Sequence, residues 1–149
     1  MSTTPWTQLF GEQLRTKSGN KPTAELLADK KVVGLYFSAH WCPPCRAFTP
    51  LLSSTYEDMV EEHPEFEIIY LSGDRDAASF EEYYGEMPFL SVPFENRTQP
   101  AALSRAFNVT GIPTLIFMNN KSQVVSMDGR MLVAQANGDV DALWAKLTQ

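Results

Sequence analysis

The chain has 149 residues, of which 44% are hydrophobic and 20% are charged, which suits one globular domain spanning residues 1–149. Its 12 basic and 18 acidic residues give a net charge of -6, which repels a phosphate backbone, so we expect no nucleic-acid partner. No segment reaches the roughly 20 apolar residues of a membrane span, and the N-terminus lacks the basic and apolar regions of a secretory signal, which predicts a cytoplasmic protein with no membrane partner.

The first half of the chain alternates between strand and helix patterns. An apolar run predicts a buried strand at Lys31–Ser38. From Pro43 apolar residues recur at spacings of three and four, which predicts a helix that ends at His63-Pro64. A second buried strand is predicted at Phe66–Leu71, and a helix at about Asp76–Gly85. This order is typical of an α/β sheet with parallel strands and crossover helices.

The second half predicts a short helix, a hairpin and a terminal helix. The short helix covers Gln99–Phe107. Thr114–Met118 and Gln123–Met127, separated by a polar turn, are typical of a β-hairpin. Asp139 is the predicted N-cap of a helix that reaches Leu147.

Three local features are less regular. We expect a strand near Trp6–Phe10 and a helical turn near Thr23–Ala28. Pro50 lies inside the long predicted helix and should kink it.

The chemistry of the chain is concentrated in its only two cysteines, Cys42 and Cys45. A disulfide between them would close too short a loop to add much stability, which favours a redox role over a structural one. Cys42 lies where the helix begins, and the free backbone N-H groups and the helix dipole there favour a thiolate. Cys45 follows one turn later, within reach for a disulfide. Pro43 and Pro44 are tolerated at the first helical positions but remove two N-H donors, so the redox potential stays open.

We therefore predict that Cys42 attacks a substrate disulfide and that Cys45 resolves the mixed disulfide, with no bound cofactor. A zinc site would need four ligands, and the chain offers only His40 and His63 in addition, so no metal is expected. A redox-inactive binding module remains the other alternative. A protonated His40 would add positive charge near the thiolate, although it also fits a solvated loop residue.

Further motifs surround the cysteine pair in a characteristic order. They are Tyr36-Phe37-Ser38-Ala39, Trp41-Cys42-Pro43-Pro44-Cys45-Arg46, Phe48-Thr49-Pro50, Asp74-Arg75, Glu86 to Phe94, Gly111 to Ile116 and Gly129-Arg130. With these motifs the sequence resembles the thioredoxin superfamily, specifically its tryparedoxin and nucleoredoxin branch. The resemblance implies a thioredoxin-like α/β fold, a central mixed β-sheet flanked by α-helices.

The resemblance also implies roles for individual residues. Ile112-Pro113 is expected to be a cis peptide beside the cysteines, with the Ile112 backbone pairing with an extended substrate, and Trp41 is expected to flank the site. Tyr36 occupies the place where thioredoxins proper keep a buried acid, and Asp74 is a candidate substitute base or else a helix-capping turn residue. Arg130 matches a basic position near the bound dithiol in tryparedoxins. The alternative is a surface arginine that follows the hairpin.

The implied activity is reduction of protein or low-molecular-weight disulfides in redox homeostasis or signalling. Thioredoxin reductase, glutathione or another dithiol is the expected external electron donor. The resemblance adds the nucleus as a second location. Two alternatives are a redox-sensitive regulatory protein that binds signalling proteins or transcription factors with little turnover, and an isomerase of secreted proteins, which the missing signal sequence disfavours.

Overall fold

The computed structural model describes residues 5–149. Helices and strands follow one another in this order: α1 (Pro5–Phe10), β1 (Gln13–Thr16), β2 (Gly19–Pro22), α2 (Thr23–Leu26), β3 (Val32–Ser38), α3 (Pro43–Glu62), β4 (Phe66–Ser72), α4 (Ala77–Tyr84), β5 (Leu90–Ser91), α5 (Thr98–Ala106), β6 (Thr114–Asn119), β7 (Val124–Ser126), α6 (Gly129–Ala136) and α7 (Val140–Leu147).

The strands form one mixed sheet in the order β2-β1-β5-β4-β3-β6-β7. The pairs β3-β4 and β4-β5 are parallel, whereas β1-β2, β1-β5, β3-β6 and β6-β7 are antiparallel. This arrangement confirms the predicted α/β class with a central mixed sheet, and β6 and β7 confirm the predicted hairpin.

Alternation along the strands divides the core between the two faces of the sheet. Tyr36 points to the face covered by α3, α4, α6 and α7, where it joins the larger buried cluster with residues such as Tyr70 and Phe117. Its neighbours Leu35 and Phe37 point to the opposite face, which α1 and α5 cover. Because both faces of β3 and β4 are buried, these strands consist of near-continuous apolar runs.

The sheet brings three separate chain segments together at one end of its central strands. Ser38 at the end of β3 pairs with Ser72 at the end of the parallel β4, so the loops that follow both strands start side by side. The antiparallel β6 begins there as well, since Thr114 pairs with Phe37. The Gly73 N-H donates to the Ser38 carbonyl at 2.8 Å and ties two of these segments together.

The predicted strand at Trp6–Phe10 is wrong, because Pro5–Phe10 forms helix α1. Trp6 and Phe10 lie four residues apart, so a helix places both on one side, where they are buried with their rings 6.3 Å apart. The expected helical turn is present as the four residues of α2, and α3 continues through Pro50.

Four elements were not predicted: strands β1 and β2, which form a hairpin, the two-residue β5 and helix α6. The hairpin strands are mostly exposed or half-buried, so they carry little apolar alternation. Within residues 5–149, no helix combines the length and apolar character needed to cross a membrane.

Candidate functional site

Cys42 lies at the junction between β3 and α3, where it is the N-cap residue of the helix. Its backbone is extended, with φ -101° and ψ 107°, and its sulfur accepts a hydrogen bond from the Cys45 N-H at 3.3 Å. Pro43 and Pro44 fill the first two helical positions and have no N-H, so Cys45 supplies the first amide that can reach the sulfur. The sequence therefore places a hydrogen-bond donor and the positive end of the helix dipole at the Cys42 sulfur.

Both cysteines are free thiols, but they differ in accessibility. Cys42 retains 5% of its exposure, whereas Cys45 has none. Burial raises the pKa of Cys45 to about 11, and its hydrogen bond with Cys42 acts in the same direction. Of the two sulfur-bearing side chains, only that of Cys42 is therefore in contact with solvent.

The segment before β6 lies against Cys42. Ile112-Pro113 is a cis peptide, as the resemblance implied. The Ile112 side chain packs against the two cysteines, and the Cys42 sulfur lies 3.8 Å from the Ile112 carbonyl oxygen. Arg130 donates from Nη1 to the Pro113 carbonyl at 3.2 Å, so this arginine lies at the edge of the site.

Trp41, immediately before Cys42, is 47% exposed. Its indole N-H donates to the Gly73 carbonyl at 2.8 Å, and the Arg75 guanidinium lies 4.9 Å from its ring centroid. Arg75 was not predicted as a site residue, because it lies more than thirty positions along the chain from Trp41. The parallel register of β3 and β4 brings the two together.

Asp74 is 5% exposed and uses both carboxylate oxygens. Oδ1 accepts from the His40 N-H at 2.7 Å, while Oδ2 accepts from the Tyr70 hydroxyl at 2.6 Å and the Ser72 hydroxyl at 2.7 Å. The alternative of a helix cap for Asp74 is wrong, because the side chain that caps α4 is Asp76. Asp74 instead fixes the loop that carries Trp41 and Cys42.

Tyr36 belongs to a buried group of hydroxyls around the first turn of α3. Its hydroxyl lies 2.7 Å from Thr49 Oγ1, and Thr49 in turn donates to the Cys45 carbonyl at 2.9 Å. Tyr83 from α4 lies within hydrogen-bond distance of Thr49 and of Ser38 Oγ, the latter at 2.8 Å. Burial raises the pKa of Tyr36, so its phenol stays neutral near neutral pH.

Ser38, Thr49 and Tyr83 were missed by the sequence reasoning. Ser38 alone carried a signal, since it is a polar residue at the end of a buried strand, four positions before Cys42. His40, which the sequence left open as a charged neighbour of the thiolate or a solvated loop residue, has its ring 5.7 Å from that of Tyr83 in an edge-on arrangement.

The residues considered as possible zinc ligands lie in different parts of the fold. Within residues 5–149, no cluster of three or more His, Cys, Asp or Glu side chains is placed to hold a metal ion. His63 lies beyond the far end of the 20-residue helix α3, about 30 Å from its start, and pairs with Asp141 at 2.8 Å.

Comparison with known proteins gives a consistent result. A family model described as thioredoxin-like matches residues 29–124. The chain is 44% identical over 108 residues to a tryparedoxin of Trypanosoma brucei brucei, covering 71% of this chain and 72% of that protein. It is also 44% identical over 123 residues to a probable nucleoredoxin 1 of Arabidopsis thaliana, covering 83% of this chain but 21% of that protein. The chain thus spans about a fifth of the length of that nucleoredoxin.

A solved structure supports the same fold. Tryparedoxin II complexed with glutathionylspermidine superposes with a TM-score of 0.79 at 35% identity, covering 85% of this chain and 87% of that one. The match confirms the thioredoxin-like fold that the motifs implied.

Proposed function

We propose that this chain, which belongs to the thioredoxin-like oxidoreductase family and to its tryparedoxin and nucleoredoxin branch, reduces disulfides through the pair Cys42 and Cys45. The observation that carries the proposal is the Cys42 sulfur at the start of α3, with the Cys45 N-H donating to it and the Cys45 thiol enclosed directly behind it. A thiolate at Cys42 is stabilised by this donor and by the helix dipole.

In the proposed cycle, the Cys42 thiolate attacks one sulfur of a substrate disulfide, and the other sulfur leaves as a thiolate that takes up a proton. Cys45 then loses its proton and attacks the Cys42 sulfur of the mixed disulfide. The bond between Cys42 and the substrate breaks, the Cys42-Cys45 disulfide forms, and the second substrate sulfur leaves reduced. Two electrons from an external thiol restore the two free cysteines.

The surroundings of Cys42 fit an extended substrate segment. The Ile112 and Pro113 backbone lies beside the Cys42 sulfur, which is where we expect a substrate strand to pair. Beside Ile112 lies a largely apolar groove of about 260 Å³, lined in part by Gly73, Arg97 and Val109, which suits one apolar side chain of that segment.

Two arginines contact residues that neighbour Cys42. Arg75 lies over the ring of Trp41, and Arg130 contacts the Pro113 carbonyl. Both are exposed, and neither forms an ion pair within the part of the chain that the structure describes. We infer that they favour carboxylate-bearing disulfides or thiols, which include glutathione. The tryparedoxin II structure, complexed with glutathionylspermidine, supports a low-molecular-weight thiol donor, and thioredoxin reductase is the alternative.

The test uses dithiothreitol-driven insulin reduction with the wild type and two variants. We expect Cys42→Ser to abolish reduction and Cys45→Ser to stop after one mixed disulfide, which a mass shift on intact protein detects. Full activity of both variants would refute the assignment. If the wild type forms one stoichiometric mixed disulfide without turnover, the regulatory binding role replaces the reductase.

A further inference from the structure

The resolving thiol presents a physical problem that the cysteine pair alone does not solve. Cys45 has no exposure to solvent, and burial raises its pKa to about 11, a change that its hydrogen bond with Cys42 reinforces. To attack the mixed disulfide it must nevertheless become a thiolate in that enclosed position. A buried anion needs hydrogen-bond donors to replace the lost water.

Buried hydroxyls lie where such donors are needed. The Ser38 hydroxyl opposes the effect of burial by lowering the pKa of the Cys45 thiol. Ser38 Oγ lies 2.8 Å from the Tyr83 hydroxyl, and both residues are at most 1% exposed. The Tyr83 hydroxyl also contacts Thr49 Oγ1, which lies 2.7 Å from the Tyr36 hydroxyl. Ser38 and Tyr83 thus belong to a chain of hydrogen bonds that reaches the Cys45 carbonyl oxygen through Thr49.

This chain can reverse its direction. In the pair Ser38-Tyr83 and in the pair Tyr83-Thr49, either oxygen can be the donor. With Cys45 protonated, Ser38 donates to Tyr83 and Tyr83 donates to Thr49. With Cys45 ionised, Tyr83 donates to Ser38 and Ser38 donates to the sulfur, while every hydroxyl keeps a partner. Within the pairs Ser38-Tyr83 and Tyr83-Thr49 only the hydroxyl hydrogens have to reorient, so these groups are preorganised.

We propose that Ser38 and Tyr83 are positioning residues that stabilise the Cys45 thiolate during the resolving step; this rests on the proposed reductase function. In that step the Cys45 S-H bond breaks as its sulfur bonds to Cys42. The substrate thiolate that leaves takes up one proton, so charge is conserved. The hydroxyls reorient their hydrogen bonds and undergo no net protonation change.

Other titratable groups around Cys45 do not replace these donors. From β3, Tyr36 contacts the Cys45 carbonyl oxygen at 3.4 Å. Burial raises the pKa of both Tyr36 and Tyr83, which keeps them neutral. Beyond them, the Asp74 carboxylate accepts from Tyr70 and from the loop that carries His40. Cys42 itself is part of the disulfide when Cys45 reacts.

The test is a stopped-flow reaction of the reduced protein with dithiobis(nitrobenzoate), in which each sulfur attack releases one thionitrobenzoate. The first release reports attack by Cys42, and the second reports attack by Cys45. Ser38→Ala and Tyr83→Phe should leave the first phase within about twofold and slow the second roughly three- to tenfold near neutral pH, as expected for one lost hydrogen bond. The midpoint of the second phase against pH should move upward in both variants.

Two controls separate this role from a structural one. Tyr84→Phe removes the hydroxyl of the next residue of α4, which bonds to the Phe89 and Arg15 carbonyls, and should leave both phases unchanged. Ser38→Thr retains a hydroxyl and should restore the second phase and its pH midpoint.

An unchanged second phase and pH midpoint in Ser38→Ala and Tyr83→Phe would overturn the proposal. Equal slowing in the Tyr84→Phe control would do the same, because the effect would then be one of packing. Loss of the first phase in the wild type would refute the proposed function instead, so the two failures are distinguishable.

Discussion

Asp74 offers a sharp test of how the active-site loop is held. Its carboxylate is 5% exposed and accepts three hydrogen bonds of 2.6 to 2.7 Å, from the His40 N-H and from the hydroxyls of Tyr70 and Ser72. Asp74→Asn keeps the shape but removes the charge and turns an amide N-H₂ toward at least one donor. A buried donor left without its partner costs about 1–3 kcal/mol of stability. A hydrogen bond to a charged group contributes more to stability than one between neutral groups.

We therefore expect Asp74→Asn to lower the free energy of unfolding by about 2–4 kcal/mol. The lower bound reflects Tyr70, whose hydroxyl also reaches the Ser38 carbonyl at 3.4 Å and keeps a partial partner. With an m-value of about 2 kcal/mol/M, the urea midpoint should fall by about 1–2 M. Fluorescence of Trp41, tied to the adjacent Gly73 carbonyl, should report a change in the native loop as well.

The matched control is Asp58→Asn, which makes the same change of charge on an exposed position of α3. Its urea midpoint should stay at the wild-type value. Equal midpoints for the two variants would refute the reasoning, because the three buried hydrogen bonds of Asp74 would then contribute nothing measurable.

The remaining predictions concern a buried acid, a crowded glycine and the arginine over Trp41. Burial raises the pKa of Glu67 in the folded protein. The contribution of the protonated Glu67 carboxyl to stability is therefore complete below the ordinary carboxyl pKa and is lost as pH rises through the higher pKa of the folded state. Urea unfolding from pH 4 to 8 should therefore show Glu67→Gln gaining stability over the wild type as pH rises. A Cβ on Gly129 would lie 2.7 Å from Leu115 Cγ and 2.8 Å from its carbonyl oxygen, so Gly129→Ala should destabilise by about 1–3 kcal/mol in thermal unfolding. In the reaction with the dianionic dithiobis(nitrobenzoate), Arg75→Gln should slow the first release of thionitrobenzoate a few-fold at low salt.

Each of these three has its own check. If the difference in unfolding free energy between Glu67→Gln and the wild type were the same at every pH, the Glu67 carboxyl would have the same pKa in the folded and unfolded states, and the prediction would be refuted. Gly111→Ala meets no atom within 4 Å and should leave the melting temperature unchanged, so an equal loss there would refute the steric argument for Gly129. With the cationic disulfide cystamine, Arg75→Gln should not slow the reaction, and equal slowing with both reagents would exclude a charge effect.

Much of the fold was predictable because its signals are local. The buried strands around Tyr36 and Tyr70 are continuous apolar runs, and the helix after Cys42 has clear apolar spacing and a proline start. Asp139 as a cap was confirmed, since its side chain accepts from the Ala142 N-H. The cysteine pair was found because two thiols one helical turn apart, in a chain with no others, already specify a chemistry.

Elements whose stability depends on distant contacts were missed or misjudged. The apolar residues Trp6, Leu9 and Phe10 fit helical spacings of three and four, but the segment is too short for this pattern to decide, and burial of Trp6 and Phe10 against the sheet favours the helix. Gly129 gives a weak helix signal in sequence, yet α6 begins there with Asp128 as its N-cap, and the close approach of Leu115 leaves no room for a side chain at residue 129.

The amino-acid sequence was enough to predict a redox pair at Cys42 and Cys45, because the strand, the helix start and the cysteine spacing are all local. The surroundings of Cys45 depend on the tertiary structure. Ser38 and Tyr83 are 45 positions apart and touch only because α4 packs on the face of the sheet that carries α3. A hydrogen bond requires its two atoms to lie about 3 Å apart. Which distant residues come that close depends on the whole fold, so no local sequence pattern predicts such a pair.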